Sequence, residues 1–237
     1  KSRGNVVSID DFVREHGADV LRMYEMFVCP LQDKHVWSPS DLVGITRFRN
    51  RVYYLLKREF STLPLDGDVP LPLDEEQMQL RRAVHRAIEQ ISSDVDKLSF
   101  NDLLQKFNLL VDQLYRYKRP LPKRAYETLL ILLAPFAPHL SEECWQLLGN
   151  TSSICEQSWP SFNSDYCHDP TQALSITING VKIATVTLAR PMDEASVLAL
   201  ARSIEEVQSE LAGKTVKKYV YKPGKLLNFV IAKEKSK

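Results

Sequence analysis

Few residues of this 237-residue chain have the type and spacing to do chemistry, and the first group stands at its start. Lys1-Ser2-Arg3-Gly4-Asn5-Val6-Val7 puts cations, a hydroxyl and a glycine directly before a helix start at Ser8-Ile9-Asp10-Asp11. A polyphosphate is held by such a set: flexible backbone, a point charge and nearby amide donors. Read alone, the same seven residues equally fit a solvated, charged terminus. A second group, His139, Glu142 and Glu143, has the residue types of a zinc hydrolase. Its spacing excludes one, because neither H-E-x-x-H nor the inverted form is present and position 143 is Glu where a second His is required. His139 is therefore read as a positioned structural residue. Cys29, Cys144, Cys155 and Cys167 are widely spaced with no C-x-x-C pair, which reads as reduced thiols, and no metal site is expected.

Cations interleaved with aromatics form a third group. Arg47, Arg51 and Arg58 recur with Tyr54 among them at spacings of four, three and four. Such a helix face pairs with phosphate and stacks on bases, and it is also what a solvated face of snorkelling arginines looks like. Tyr115-Arg116-Tyr117-Lys118-Arg119 repeats the mixture before Pro120. Either nucleic acid or the negative end of a helix dipole accounts for it. The formal net charge is only +1, but it is unevenly spread: from Lys214 onward eight lysines face the single acid Glu234, an electrostatic footprint for an anionic partner.

The elements that must position these groups are mostly helices. Ser8-x-x-Asp11 starts a short helix that stops near His16-Gly17, and a second runs from Ala18 to about Val28, ended by Cys29-Pro30. A longer helix from Ser40-Asp41 buries Ile45, Phe48, Val52, Leu55 and Leu56. Leu63 to Pro72 is a Pro- and Gly-rich linker. Beyond it Leu80, Val84, Ile88, Ile91 and Val95 hold helical register, with Arg82 and Arg86 on the wet side. Ser99 or Asn101 is expected to cap the next helix, whose stripe is Leu103, Leu104, Phe107, Leu110, Val111 and Leu114. The apolar run to Ala134 predicts a fully buried helix broken at Pro135 and Pro138, followed by a last helix to Gly149.

After a Ser-, Asn-, Asp- and Pro-rich stretch the period changes from 3.6 to 2. Leu174, Ile176 and Ile178 alternate up to Asn179-Gly180, the strongest short hairpin signal. Helical segments follow over about 193–211, then strands over 215–221 and 226–231 around a Pro223-Gly224 turn. The expected fold class is a mainly α helical bundle followed by a small α+β domain. The expected division is a connector at 1–40, a bundle at 41–149, a linker at 150–171 and the small domain at 172–237. No apolar run is long enough to span a membrane.

In order along the chain, these segments resemble the C-terminal part of leucyl-tRNA synthetases of bacterial or organellar type, class I aminoacyl-tRNA synthetases. The resemblance is carried by residues 1–7, Gly17-Ala18-Asp19-Val20-Leu21-Arg22, Arg47-Phe48-Arg49-Asn50-Arg51-Val52, residues 132–140, Glu142-Glu143-Cys144-Trp145, Asn179-Gly180 and residues 223–228. It implies that Lys1 and Ser2 are the last two positions of a K-M-S-K-S signature, whose second lysine contacts ATP, a substrate used with Mg in the full enzyme. A loop lysine that reaches the phosphates as charge builds on them lowers the barrier of amino-acid activation. It further implies that the bundle resembles the anticodon-binding domain of the class, and that the partners of the full enzyme are leucine, ATP and tRNA(Leu). Phosphate contacts are then expected from Arg47, Arg51, Arg82, Arg86, Arg116, Lys118 and Arg119 in the bundle. Lys214, Lys217, Lys218, Lys222 and Lys225 would supply those of the small domain. A monomer in the cytoplasm or an organellar matrix is expected.

The chain also departs from the family pattern. After Asn179-Gly180 the family has a lysine and a second basic residue before a glycine, whereas Val181-Lys182-Ile183-Ala184 stands here. No Rossmann half, no H-I-G-H motif and no editing domain lie in these residues, so no catalysis is expected from them alone. Isoleucyl and valyl enzymes share the start and the buried helix but end in a cysteine-paired metal module or a coiled coil, neither of which is present. A helical interaction scaffold without an RNA role is the alternative from another class.

Overall fold

The computed structural model describes residues 7–62, 64–65, 73–167, 171–189, 192–223 and 225–231. Lys1, Ser2 and most of the 63–72 linker lie outside the described residues. The chain divides into two compact units between residues 168 and 169.

In the first unit, α1 (Ile9–His16) is capped by Ser8, whose hydroxyl accepts from the Asp11 amide at 3.3 Å. Gly17, at φ 89°, reverses the chain into α2 (Ala18–Phe27), a conformation that a side chain would strain. Helix α3 (Pro39–Tyr54) begins one residue before the expected Ser40 and buries Leu42, Ile45, Phe48 and Val52. A two-residue strand β1 (Phe60–Ser61) follows. Then comes α4 (Glu75–Asp96), whose capping box, Asp74 with Gln77, was not evident among the linker residues. The expected Ser99 or Asn101 cap does not form: a 3₁₀ turn over Phe100–Asp102 leads straight into α5 (Leu103–Arg116), with no side-chain cap bond.

Strand β2 (Leu121–Pro122) pairs in parallel with β1 and delivers the chain into α6 (Lys123–Leu133). Eight of its eleven residues are buried, as the apolar run requires, so this helix is the axis of the bundle. The hydroxyls it carries inward are satisfied, since Tyr126 donates to the Val52 carbonyl and Thr128 to the Arg124 carbonyl, each at 2.8 Å. Pro138 opens α7 (Pro138–Leu147), and the N-terminus of that helix is capped from a distance. The buried Asp19 carboxylate accepts from the amide and ring Nδ1 of His139 and from the Leu140 amide, at 3.4, 2.8 and 2.7 Å.

Residues 150–167, read from composition as linker, are laid along α4. Trp159 Nε1 donates to Ser92 Oγ, the Asn163 amide to His85 Nδ1, and Arg86 Nε to the Cys167 carbonyl, all within 3.0 Å. The short α8 (Ser164–Cys167) sets Tyr166 against the buried Arg81. Composition missed this because the partners lie 67 to 85 residues apart. Glu142 ties down the start of the segment, accepting from Ser153 Oγ, Gln146 Nε2 and the Ile154 amide. The Ser153 and Gln146 bonds hold its carboxyl below the usual carboxylate range. A lowered folded pKa contributes stability above the ordinary value of 4.5 that is lost as pH falls through the lowered one. Unfolding midpoints taken downward from pH 6 should therefore fall less steeply in Glu142→Gln than in the parent chain, with the parent the more stable at pH 6.

In the second unit, β3 (Thr171–Ile178) and β4 (Val181–Ala189) form a hairpin across Asn179-Gly180, both at positive φ as a type I′ turn needs. Helices α9 (Glu194–Ser203) and α10 (Glu205–Leu211) precede β5 (Val216–Lys222) and β6 (Leu226–Ile231). The sheet order is β4-β3-β6-β5, with β3 and β6 parallel. Val197, Ala201 and Val207 of the helices join Leu174, Ile176, Leu227 and Phe229 in this unit's core, so the helices cover one face of the sheet. Among the described residues no helix is long and apolar enough to cross a membrane.

Candidate nucleic-acid interface

Strand register decides where the lysines of the small unit go. Leu227 and Phe229 face the helices, so their cross-strand neighbours Tyr221 and Tyr219 belong to that face too. The alternate set, Lys222 opposite Leu226 and Lys218 opposite Val230, belongs to the other face. On β4, Lys182 pairs with Thr177, which pairs with Asn228, so it shares that second face. Lys182, Lys218 and Lys222 thus stand on the face opposite the helices, and all three are exposed. Lys217 is the extra residue of a bulge and is exposed on the edge strand. Lys225 is exposed in the turn after β5, where its amide donates to the Lys222 carbonyl at 3.0 Å. Lys214 is exposed but pairs with Glu210 at 3.5 Å, one helical turn back.

Lys182 was absent from the site residues expected on sequence grounds. The signal was present: the turn at Asn179-Gly180 fixes the register, and the bulge beside Thr177 sets the face. The same polar face explains two of the sequence motifs. Asn228 Oδ1 accepts from the Thr177 hydroxyl and the Gly180 amide, and Asn179 Oδ1 accepts from the Ile231 amide. Asn179-Gly180 and Asn228 lock each other and hold the hairpin turn against β6.

In the bundle the expected cations divide into two groups. Arg47 and Arg116 are exposed, and among the described residues neither has an ion-pair partner. Arg51 is half-buried, donating to Asn108 at 3.0 Å, paired with Asp112 and lying 5.5 Å over the Tyr115 ring. Arg58 closes the C-terminus of α5, donating to the carbonyls of Leu114, Tyr115, Tyr117 and Arg119. Arg82 lies 3.7 Å from Glu75, and Arg86 is bonded to the Cys167 carbonyl.

The 115–119 mixture is likewise turned to internal work. Tyr117 is buried, and Tyr115 donates its hydroxyl to the Arg51 carbonyl. Arg119 sits on Asp74 and 3.5 Å from Glu76, and the Asp74 bond raises its guanidinium pKa further. Lys118 is exposed, but its amide donates to Glu76, and with Arg116 it borders a cleft carrying Glu75 and Glu76. The acidic first turn of α4 thus compensates this basic segment. What sequence spacing offered as a cation and aromatic stripe is largely a set of helix-to-helix ties, leaving Arg47, Arg116 and Lys118 as its outward charges.

Residues 78–209 match the family described as the anticodon-binding domain of tRNA ligase. The chain belongs to that family. Relatives of this anticodon-binding-domain chain include the leucine–tRNA ligase of Sorangium cellulosum strain So ce56, 36% identical over 231 residues, covering 98% of this chain and 26% of the relative. The leucine–tRNA ligase of Phocaeicola vulgatus is 36% identical over 232 residues, 98% and 24% of the two lengths. The chain therefore spans about a quarter of the curated relatives it matches. A solved relative, the ternary complex of Agrobacterium radiobacter K84 agnB2 LeuRS with tRNA and LeuAMS, superposes with a TM-score of 0.82 at 30% identity. It covers 99% of this chain and 31% of that one. The mainly helical bundle with a small sheet domain, and the likeness to leucyl-tRNA synthetases drawn from motifs, agree with these findings.

Proposed function

We propose that the chain is the tRNA-binding C-terminal portion of a leucine–tRNA ligase, which activates leucine with ATP and Mg and transfers it to tRNA(Leu). The carrying observation is likeness over 99% of the chain to a leucyl-tRNA synthetase solved with tRNA. The lysine-bearing sheet face supports the same reading from the chain's own residues. In it, residues 41–149 hold the body of the tRNA, with Arg47, Arg116 and Lys118 as phosphate contacts, and residues 172–237 grip it through Lys182, Lys217, Lys218, Lys222 and Lys225. Residues 1–40 connect this region to the catalytic half, with Lys1 and Ser2 meeting the phosphates of ATP. Leucine, ATP and tRNA are substrates of the whole enzyme, a cytoplasmic or organellar monomer, and this portion alone does not catalyse the reaction.

The test is binding of a tRNA(Leu) transcript across a salt series. Counterion release predicts a slope of log K against log salt of about −3 or steeper. Binding that ignores salt, or no binding, overturns the proposal. Within the bundle, Arg47→Ala should weaken tRNA binding and leave stability within about 0.5 kcal/mol. Arg51→Ala should cost about 1 kcal/mol of stability, because it removes a partly exposed pair and a ring contact. Parallel urea melts and filter-binding titrations of the two variants check both directions.

A further inference from the structure

A cleft of about 530 Å³ opens in the first unit where the α1–α2 turn, α3 and α7 meet, and none of the cations discussed above lines it. Its walls are mostly apolar and aromatic, which fits a flat ring better than a phosphate. Tyr53 and Tyr54 line it from the end of α3, 43% and 50% exposed, and Lys57 lies 4.6 Å over the Tyr54 ring. Arg49, which also lines the cleft, is held within the protein: it donates Nη1 to the His16 carbonyl, and Nε and Nη2 to Asn50 Oδ1.

Two acceptors, on His139 and Glu143, stand together on α7 at the cleft. His139 gives Nδ1 to the Asp19 carboxylate, which fixes the tautomer and leaves Nε2 with a lone pair in the neutral ring. Its side chain is 76% exposed. Glu143 lines the cleft, is exposed, and has no ion-pair or hydrogen-bond partner among the described residues. A stacking wall, a carboxylate and an imidazole acceptor select a ring with donors. Among the four standard bases, guanine alone places two N–H donors side by side, at N1 and N2, to meet a carboxylate in a bidentate pair. The ribose 2′-hydroxyl supplies a further donor for the imidazole and separates RNA from DNA.

We infer that this cleft takes one unpaired guanosine of the bound RNA. The base stacks on the Tyr54 ring, with the Tyr53 ring tilted 66° to it as a side wall, and N1–H and N2–H₂ donate to Glu143 and the ribose hydroxyl to His139 Nε2. The inference rests on the tRNA-binding reading and adds a base-selective contact to it.

The test uses the full chain and fluorescently labelled pentamers, UUGUU and UUAUU as RNA and UUGUU as the deoxyribose strand, read by anisotropy. The guanine RNA should bind about tenfold more tightly than the adenine RNA, and more tightly than its deoxy counterpart. Tyr54→Ala should weaken it about tenfold. Glu143→Gln, at an exposed position and checked for an unchanged melting midpoint, should bring guanine and adenine within about twofold. Equal affinity of the two RNAs, or a guanine preference that survives Glu143→Gln, overturns the inference. Retention of the tRNA transcript is measured on the same samples. If tRNA is retained without guanine selectivity, the cleft assignment fails and the tRNA reading stands. If tRNA is not retained, the broader reading fails first.

Discussion

Reversing Lys217, Lys218 and Lys222 together to glutamate should lower the affinity for a tRNA(Leu) transcript by about a hundredfold or more at ~50 mM salt. The slope of log K against log salt should become shallower by about 2 to 3, since each lost phosphate contact removes roughly 0.7 to 0.9. The reason lies in register: Lys218 and Lys222 share the sheet face away from the helices, and Lys217 projects from the bulge on the same edge strand. None of the three has an ion-pair partner among the described residues, so reversal removes attraction and adds repulsion without breaking an internal bond. All three are exposed, and the fold should hold within about 0.5 kcal/mol. Lys214→Glu should do much less, because Glu210 already partly neutralises that lysine. A scaffold with no RNA role would show unchanged retention of tRNA in the triple variant. Loss of retention with an intact melting transition separates the two classes.

What was legible in the sequence was what neighbours along the chain decide. The buried axis helix could be read because its apolar run has no polar face, and the hairpin because Asn179-Gly180 dictates its own turn. Gly17 marked the break between the first two helices for the same local reason. Side-chain employment was not legible, because it depends on distant partners. Arg51 looks free on its helix until Asp112, 61 residues later, is brought beside it. Tyr115 and Tyr117 look like stacking residues until one is seen bonded to α3 and the other buried. Lys182 was legible in principle, but only after the bulge beside Thr177 had fixed its face. Lys1 and Ser2, which the resemblance to the signature assigns to ATP, lie outside the described residues.

Asp19→Ala should be among the most destabilising single substitutions in the first unit, at about 2 to 4 kcal/mol. The carboxylate is buried at 7% exposure and receives three donors from the first turn of α7, a helix 120 residues further along the chain. Pro138 at the start of that turn has no amide to lose, so the His139 and Leu140 amides are the orphans that Asp19 satisfies. Removing it takes the protein acceptor from both amides and releases the His139 ring. Asp19→Asn should fall between the two, keeping one acceptor but turning an amide donor toward other donors. All three tryptophans, Trp37, Trp145 and Trp159, belong to the first unit, so a fluorescence-monitored urea melt reports that unit's stability. The midpoint should drop sharply at unchanged m-value for Asp19→Ala. If the guanosine assignment also holds, the same variant should lose the deoxyribose discrimination of the cleft, because the imidazole tautomer depends on this carboxylate.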